Sequence, residues 1–359
     1  MAFAARMESY SIHADAFGIS SLMKLPRIAV TMGDPAGVGP ELALRLLQNA
    51  EIAAELTPIV FGDAGVLARV ARHLGWDFNS PVVDRLEDVA GPCVLDLRVV
   101  PAEDVVPCQA AANTGHAAFV YLERAIAAGL AGQVDGICTG PLNKAALHAA
   151  GHHYPGHTEI LAERMQTDRW CMMLTSPEIT CSFVTAHVGY FEVPQLLTTE
   201  RISEVIDFTV AAMRRLRGRE PRLICCGLNP HAGEDGLFGQ REEERIIVPA
   251  VEQAKKKGVQ IVGPLPPDTC FLPWRRAETD AYICMYHDQG HIPLKALAFD
   301  TAINTTLGLP VVRTSVDHGT AFDIAWQGIA NPSSLFAAVR LAARLSTDRV
   351  LVESRSDSV

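Results

Sequence analysis

Short apolar runs alternate with longer amphipathic segments along nearly the whole chain, and that alternation decides the fold class. RIAVTM (27–32), PIVFGD (58–63), VDGICTG (134–140), RLICCGLNP (222–230), QIVGPL (260–265), AYICMYH (281–287) and PVVRTSV (310–316) read as strands. Between them, residues 42–50, 66–74, 117–132, 143–151, 200–218, 248–258 and 333–347 carry helical periodicity, several with cationic last turns or a closing glycine. Strand–helix alternation predicts an α/β protein whose largely parallel sheet is covered by helices on both faces. CMMLTS (171–176) and CSFVTAH (181–187) are separated by too few residues for a crossover, which predicts an antiparallel pair there.

The chain has 359 residues, enough for one large or two medium α/β domains. No internal repeat or low-complexity linker marks a boundary, so a two-lobed arrangement places the active site in the cleft between lobes. No run has the apolar length needed to span a bilayer. A formal charge of -10 argues against nucleic acid or an anionic membrane as the main partner, yet leaves a small anionic substrate open. Nine cysteines without a C-x-x-C pair read as reduced, mostly buried thiols in a cytoplasmic protein. Residues 1–25 read as a loose extension with no signal-peptide pattern, and Met23 as a more natural start. The tail SRSDSV (354–359) reads as disordered.

Three strand-like runs each deliver a histidine: His187, His231 and His287. Ligands of open α/β sheets bind at the carboxyl ends of strands, so three imidazoles brought there are expected to share one divalent ion. Asp288 beside His287 is placed to orient it. The glycine-rich turn Gly33–Glu41 joins a strand to a helix and reads either as an anion cradle or as a tight turn. In Gly156-His157-Thr158-Glu159, Thr158 is either a helix cap or, with His157, a donor pair for a phosphate or carboxylate. Asp268 is a turn residue or a member of the site. Lys295 stands in the apolar stretch IPLKALAF, where a lysine calls for an anionic partner or a depressed pKa. Asn304 and Arg313 flank the next strand, with Arg313 suited to clamping an anion.

In this order the motifs are familiar. GDPAGVGPE, TGPLNK, GHTE, the histidine of FVTAHV, LNPHAGE, GPLPPDT, MYHDQG and NTTLGLPVVRTSVDHGTAFDIA make the chain resemble the PdxA family of 4-hydroxythreonine-4-phosphate dehydrogenases, from about residue 27 to 332. The loop DHGTAFDIAWQGIANP is also similar to the cofactor loop of isopropylmalate and isocitrate dehydrogenases. The resemblance implies their two-lobed fold, with residues 26–155 plus 305–352 as one lobe and 156–304 as the other. It implies a homodimer whose partner shares the active site. It assigns a divalent ion (Zn, Co, Mg, Mn or Ni) to His187, His231 and His287, and substrate contacts to His157, Thr158, Lys295, Asn304 and Arg313. NAD or NADP would lie against Asp317, His318, Gly319 and Asp323.

The implied reaction oxidises the C3 hydroxyl of a 4-phosphorylated four-carbon acid and then decarboxylates it. Lys295 is the candidate base, with Asp268 or a metal-bound water as the alternatives, and Asp288 is counted with them among the catalytic residues. Two departures stand out. Ala325-Trp326-Gln327-Gly328 replaces the usual glycine-lysine pair, and HDQGHIPLK with FDTAIN is more similar to a sister branch acting on D-threonate or D-erythronate 4-phosphate. A phosphate acyltransferase and a non-catalytic metabolite sensor are the readings from other classes.

Overall fold

The computed structural model describes residues 24–298 and 301–356. Its strands are β1 (Arg27–Thr31), β2 (Thr57–Gly62), β3 (Val82–Val83), β4 (Cys93–Asp96), β5 (Gly136–Thr139), β6 (Cys171–Thr175), β7 (Thr180–Phe183), β8 (Arg222–Cys226), β9 (Gln260–Leu265), β10 (Ala281–Cys284), β11 (Ile303–Leu307) and β12 (Val312–Ser315). The helices are α1 (Gly39–Leu47), α2 (Ala50–Glu55), α3 (Ala64–Leu74), α4 (Ala112–Leu130), α5 (Lys144–Ala149), α6 (His157–Arg164), α7 (Val193–Leu196), α8 (Thr199–Arg217), α9 (Val248–Lys256), α10 (Pro267–Cys270), α11 (Pro273–Glu278), α12 (His287–Ala298) and α13 (Ser333–Ser356).

All these strands join one continuous sheet in the order β3-β4-β2-β1-β5-β12-β11-β6-β7-β10-β8-β9. Both outer stretches are parallel; β11 runs antiparallel to β12 and β6, and β6 to β7. The expected antiparallel pair of β6 and β7 is thus present. Strands such as Arg27–Thr31 are buried over nearly their whole length because helices cover both faces.

The twofold side-chain period of a strand explains how the cores divide. Ile28, Val30, Val60, Cys138, Met173, Leu223, Cys225 and Ile283 enter one core with α1, α3, α8, α9 and α13, running the length of the sheet. The opposite face carries two separate cores. Ala29, Ile59, Phe61 and Ile137 meet α4 and α6, whereas Cys181, Phe183, Cys226, Tyr282 and Cys284 meet Leu294 of α12. The gap between them lies over the middle strands β5, β12 and β11. Helix α6 packs on the first of these cores through Ile160 and Leu161, on the side away from most of 156–304.

Several boundaries differ from expectation. Helix α4 begins at Ala112, five residues earlier than its apolar pattern. Helix α2, the short strands β3 and β4, strand β11 and helix α12 carry no clear periodic signal. The three histidines lie beyond their strands rather than at the ends, because β7, β8 and β10 stop at Phe183, Cys226 and Cys284. Helix α13 runs to Ser356, into the tail read as disordered. Residues 1–23 of the expected extension and the last three of the tail lie outside the described residues.

Candidate active site

The floor of the gap is polar. Arg313 on β12 is 3% exposed and faces Thr306 of β11 across the ladder. Its Nη1 donates to Thr306 Oγ1 (3.1 Å) and its Nη2 to Thr139 Oγ1 (2.8 Å), at the carboxyl end of β5. Nε is buried without a partner, and no described carboxylate forms an ion pair with the guanidinium. Burial pushes its pKa down to about 10, against the opposing pull of Cys138 and Glu159. Asn304 lies two positions before Thr306 on the same face of β11, and its Oδ1 is likewise buried and unpaired. Two unsatisfied polar groups and an uncompensated cation in one pocket are costly unless an outside ligand completes them.

His157 opens α6 above this floor. Burial, then the charge of Arg313, pushes its pKa down to about 3, although its ring hydrogen-bonds the Gly140 backbone. At neutral pH the ring is uncharged, so it serves an anion as a hydrogen-bonding group and leaves the charge to Arg313. Thr158 is half-buried in the first turn of α6; the cap position belongs to Gly156, so the capping reading of Thr158 does not hold.

The histidine loops leave three adjacent parallel strands, since β10 pairs with both β7 and β8. His187 and His287 come together, with ring centroids 5.5 Å apart. Burial, then His287, lowers the His187 pKa, favouring the neutral ring a metal needs. His287 Nδ1 bonds Asp288 Oδ1 at 2.7 Å, which leaves Nε2 for a ligand. Asp288 also accepts from the Tyr190 hydroxyl at 2.5 Å, and these contacts, Tyr190 first, hold it below the usual carboxylate range. It therefore orients His287.

His231 stands apart. It begins six successive residues with positive φ, through Gly236, and this left-handed turn aims its exposed ring at Glu234 Oε2, 3.0 Å from Nδ1. Glu234, with a smaller effect of Asp268, raises its pKa. Asp268, exposed on α10, thus belongs to the His231 side. Among the described residues no three His, Cys, Asp or Glu side chains lie close enough to hold a metal. The expected convergence is realised for His187 and His287 and not for His231. The donor chemistry still suits a borderline divalent ion: two adjacent imidazoles, one carboxylate-oriented, and a third on an exposed side chain of the neighbouring strand's loop. Glu243 braces that loop, accepting from the Leu228 and Asn229 backbone N–H groups at 2.9 and 2.8 Å. Gln289 ties it to α12, donating to Gly227 O at 2.7 Å while accepting from Met285 N at 2.6 Å.

Lys295 is half-buried on α12, and its Nζ pairs with Asp317 Oδ2. This links the helix of His287 to the loop 317–330. Within that loop His318, Gly319 and Asp323 are exposed, while Trp326 is 3% exposed. The Gly33–Glu41 turn proves to be its support. Val38 N donates to Thr320 O (3.0 Å), Trp326 N to the buried Glu41 Oε1 (3.1 Å), and Trp326 Nε1 to Pro35 O (3.1 Å). Burial raises the Glu41 pKa, opposed chiefly by the Trp326 and Gly328 backbone N–H groups. Gly39 must be glycine: a Cβ there would lie 1.9 Å from Met32 O. The anion-cradle reading of this turn gives way to a buried buttress.

Sequence reasoning passed over Glu159, whose charge acts on both Arg313 and His187, and His291, stacked on His287. The spacing of four between His287 and His291 was the available signal for the second, once a helix is assumed.

Comparison with known proteins shows what the chain is similar to. The family model described as pyridoxal phosphate biosynthetic protein PdxA matches residues 54–342. D-threonate 4-phosphate dehydrogenase of Cupriavidus necator is 43% identical over 330 residues, covering 90% of this chain and 98% of the relative. 4-Hydroxythreonine-4-phosphate dehydrogenase of Desulforapulum autotrophicum is 41% identical over 332 residues, covering 90% and 96%. The crystal structure of 4-hydroxythreonine-4-phosphate dehydrogenase from Klebsiella pneumoniae superposes with a TM-score of 0.79 at 41% identity, covering 89% of this chain and 99% of that one.

Proposed function

The chain belongs to the PdxA family and is an oxidoreductase, and on that premise we propose that it oxidises the C3 hydroxyl of a four-carbon acid bearing a C4 phosphate, with decarboxylation following. The observation that carries the reading is the buried Arg313, without a described carboxylate partner, beside the unpaired Asn304 Oδ1. A phosphate or carboxylate of the substrate supplies the missing anion. The paired His187 and His287 weigh against a phosphate acyltransferase, which needs no metal histidines, and against a non-catalytic sensor.

We assign the divalent ion to His187 and His287, with His231 as third donor, and a nicotinamide cofactor to the loop of Asp317, His318, Gly319 and Asp323. When bound, the ion supplies a Lewis acid that lowers the pKa of an alcohol oxygen, and the nicotinamide supplies the hydride acceptor. The chain's own part is positioning and proton handling. Arg313 neutralises an anionic end of the substrate, neutral His157 and Thr158 hydrogen-bond to it, and Asn304 receives a hydroxyl or amine. Lys295, once it has released its own proton and is the neutral amine, would take the hydroxyl proton, and Asp317 would hold the ammonium that forms.

A second copy of the chain fits the rim. Phe191 is 96% exposed, and Tyr190, Leu237, Trp274 and Ile292 are also well exposed around the histidine loops, more apolar surface than water favours. A homodimer covering this face would close the site and hold the His231 loop. No helix of the described residues is long and apolar enough to cross a membrane.

Two substrates share this chemistry and differ at C2. The D-threonate 4-phosphate reading is favoured by the 43% identical relative of that name, and the 4-hydroxythreonine-4-phosphate reading by the 41% identical relative and the Klebsiella structure. The test follows reduction of NAD and NADP by the metal-loaded protein with each substrate separately. Turnover of one identifies the C2 group; silence with both, under both cofactors, rejects the reading.

A further inference from the structure

Helix α12 carries a row of functional groups at a spacing of four, His287, His291 and Lys295, which places all three on one face. His291 has no role in the chemistry described above. Its ring lies parallel to that of His287, with centroids 3.6 Å apart and an interplanar angle of 7°. Its Nδ1 is 3.0 Å from His287 O, so it carries the proton and donates, because a carbonyl only accepts. Phe183 packs against the same ring with centroids 4.6 Å apart. The helix is seated closely there: a Cβ on Gly290 would come within 2.7 Å of the Phe183 ring and 2.9 Å of Cys284 Sγ.

The two contacts of His287 do different things. The hydrogen bond that His287 Nδ1 donates to Asp288 Oδ1 fixes the direction of Nδ1 but leaves the ring able to rock about that bond. A parallel ring at van der Waals distance removes this second freedom. We propose that His291 is a positioning residue that holds the plane of the His287 imidazole and thereby the geometry of the metal site. The inference rests on the assignment of His287 as a metal ligand. Residues that orient a ligating histidine set metal affinity without touching the ion, typically by about 10–100-fold.

The test uses cobalt(II) with the full-length protein and three variants, His291→Ala, His291→Phe and His287→Ala, reading affinity by calorimetry and geometry by the visible ligand-field spectrum. His291→Ala is expected to bind about 10–100-fold more weakly with an altered spectrum, whereas His291→Phe, which keeps a flat ring, stays within about threefold of wild type. Wild-type affinity and spectrum in His291→Ala, with binding lost in His287→Ala, would overturn the positioning role and leave the metal assignment standing. Equal losses in the alanine and phenylalanine variants would overturn it too, because the nitrogen and not the ring plane would matter. If His287→Ala binds cobalt as wild type does, the metal assignment itself fails, and the inference with it.

Discussion

Replacing Arg313 by methionine should make the ligand-free protein more stable and blind to its anion. The guanidinium is 3% exposed, forms no ion pair with a described carboxylate, and burial pushes its pKa down from its ordinary value to about 10. At about 1.4 kcal/mol per tenfold change in proton affinity, burial of the charged form costs on the order of 3 kcal/mol. The sign follows from linkage: a cation with a folded pKa below its unfolded value destabilises the fold wherever both states are protonated. The cost is therefore complete below about pH 10 and disappears as pH rises above that towards the ordinary guanidinium range. Against it stand the two hydrogen bonds to Thr139 and Thr306, about 1 kcal/mol each. The balance for Arg313→Met is a gain of about 1 kcal/mol, or about 1–3 °C in Tm for a chain of this size. Binding moves the other way. Loss of the charge-assisted contacts should weaken affinity for inorganic phosphate or the phosphorylated substrate by about 100-fold or more. Thermal unfolding with and without phosphate reads both quantities. A variant more than about 2 kcal/mol less stable that keeps its phosphate-induced stabilisation would show that Arg313 is structural and refute the reasoning.

Three further outcomes are expected. His157 is neutral in the fold with a pKa of about 3, so its stability contribution is complete above pH 6.5 and is lost as pH falls towards 3. Discounted for a half-buried ring, denaturant unfolding at pH 4.5 and 7 should show His157→Gln losing about 2 kcal/mol less than wild type on acidification; identical losses would place the ring in solvent. Trp326 holds φ +60 in the loop 317–330, and Trp326→Gly should relieve about 1 kcal/mol of strain but forfeit about 3–5 kcal/mol of packing. A lower denaturant midpoint with a higher KM for the nicotinamide is expected, and a more stable variant would contradict the anchoring role. Gly39→Ala drives a Cβ to 1.9 Å from Met32 O and should destabilise by about 2 kcal/mol or more, measured by the same unfolding curves.

What the sequence showed and what it hid have one physical cause. Strands buried between two helical layers, such as β1, β2 and β10, are apolar on both faces and stand out as runs. Strand β11 reads INTTL, and its Asn304 and Thr306 break the run because they face the gap between two cores, where Arg313 lies. Helix α12 was hidden in the same way: HDQGH spends its first turns on the site, and Pro293 interrupts the periodicity that follows. Strand β11, read least easily of the three, is thus part of the floor of the site beside the clearly read β5 and β12. His157 was found through its adjacent donor Thr158, Arg313 and Asn304 through their places flanking a strand, and their substrate roles through the resemblance. Their unpaired atoms could be found only in three dimensions, since a buried Nε without an acceptor leaves no mark on the sequence.

The displacement of His231 has a similar origin. Composition shows a turn in LNPHAGE, but not that six successive left-handed residues carry the ring towards Glu234. Such a backbone is strained for non-glycine residues and persists only where its surroundings hold it. Here Glu243 and Gln289 fix the base of the loop, while its tip, with Leu237 71% exposed, is bare. A loop braced at its base and uncovered at its tip is built to be completed from outside. The partner surface proposed for the dimer and the third imidazole of the metal site therefore stand or fall together: sedimentation showing only monomer, with cobalt bound through His187 and His287 alone, would dismiss both.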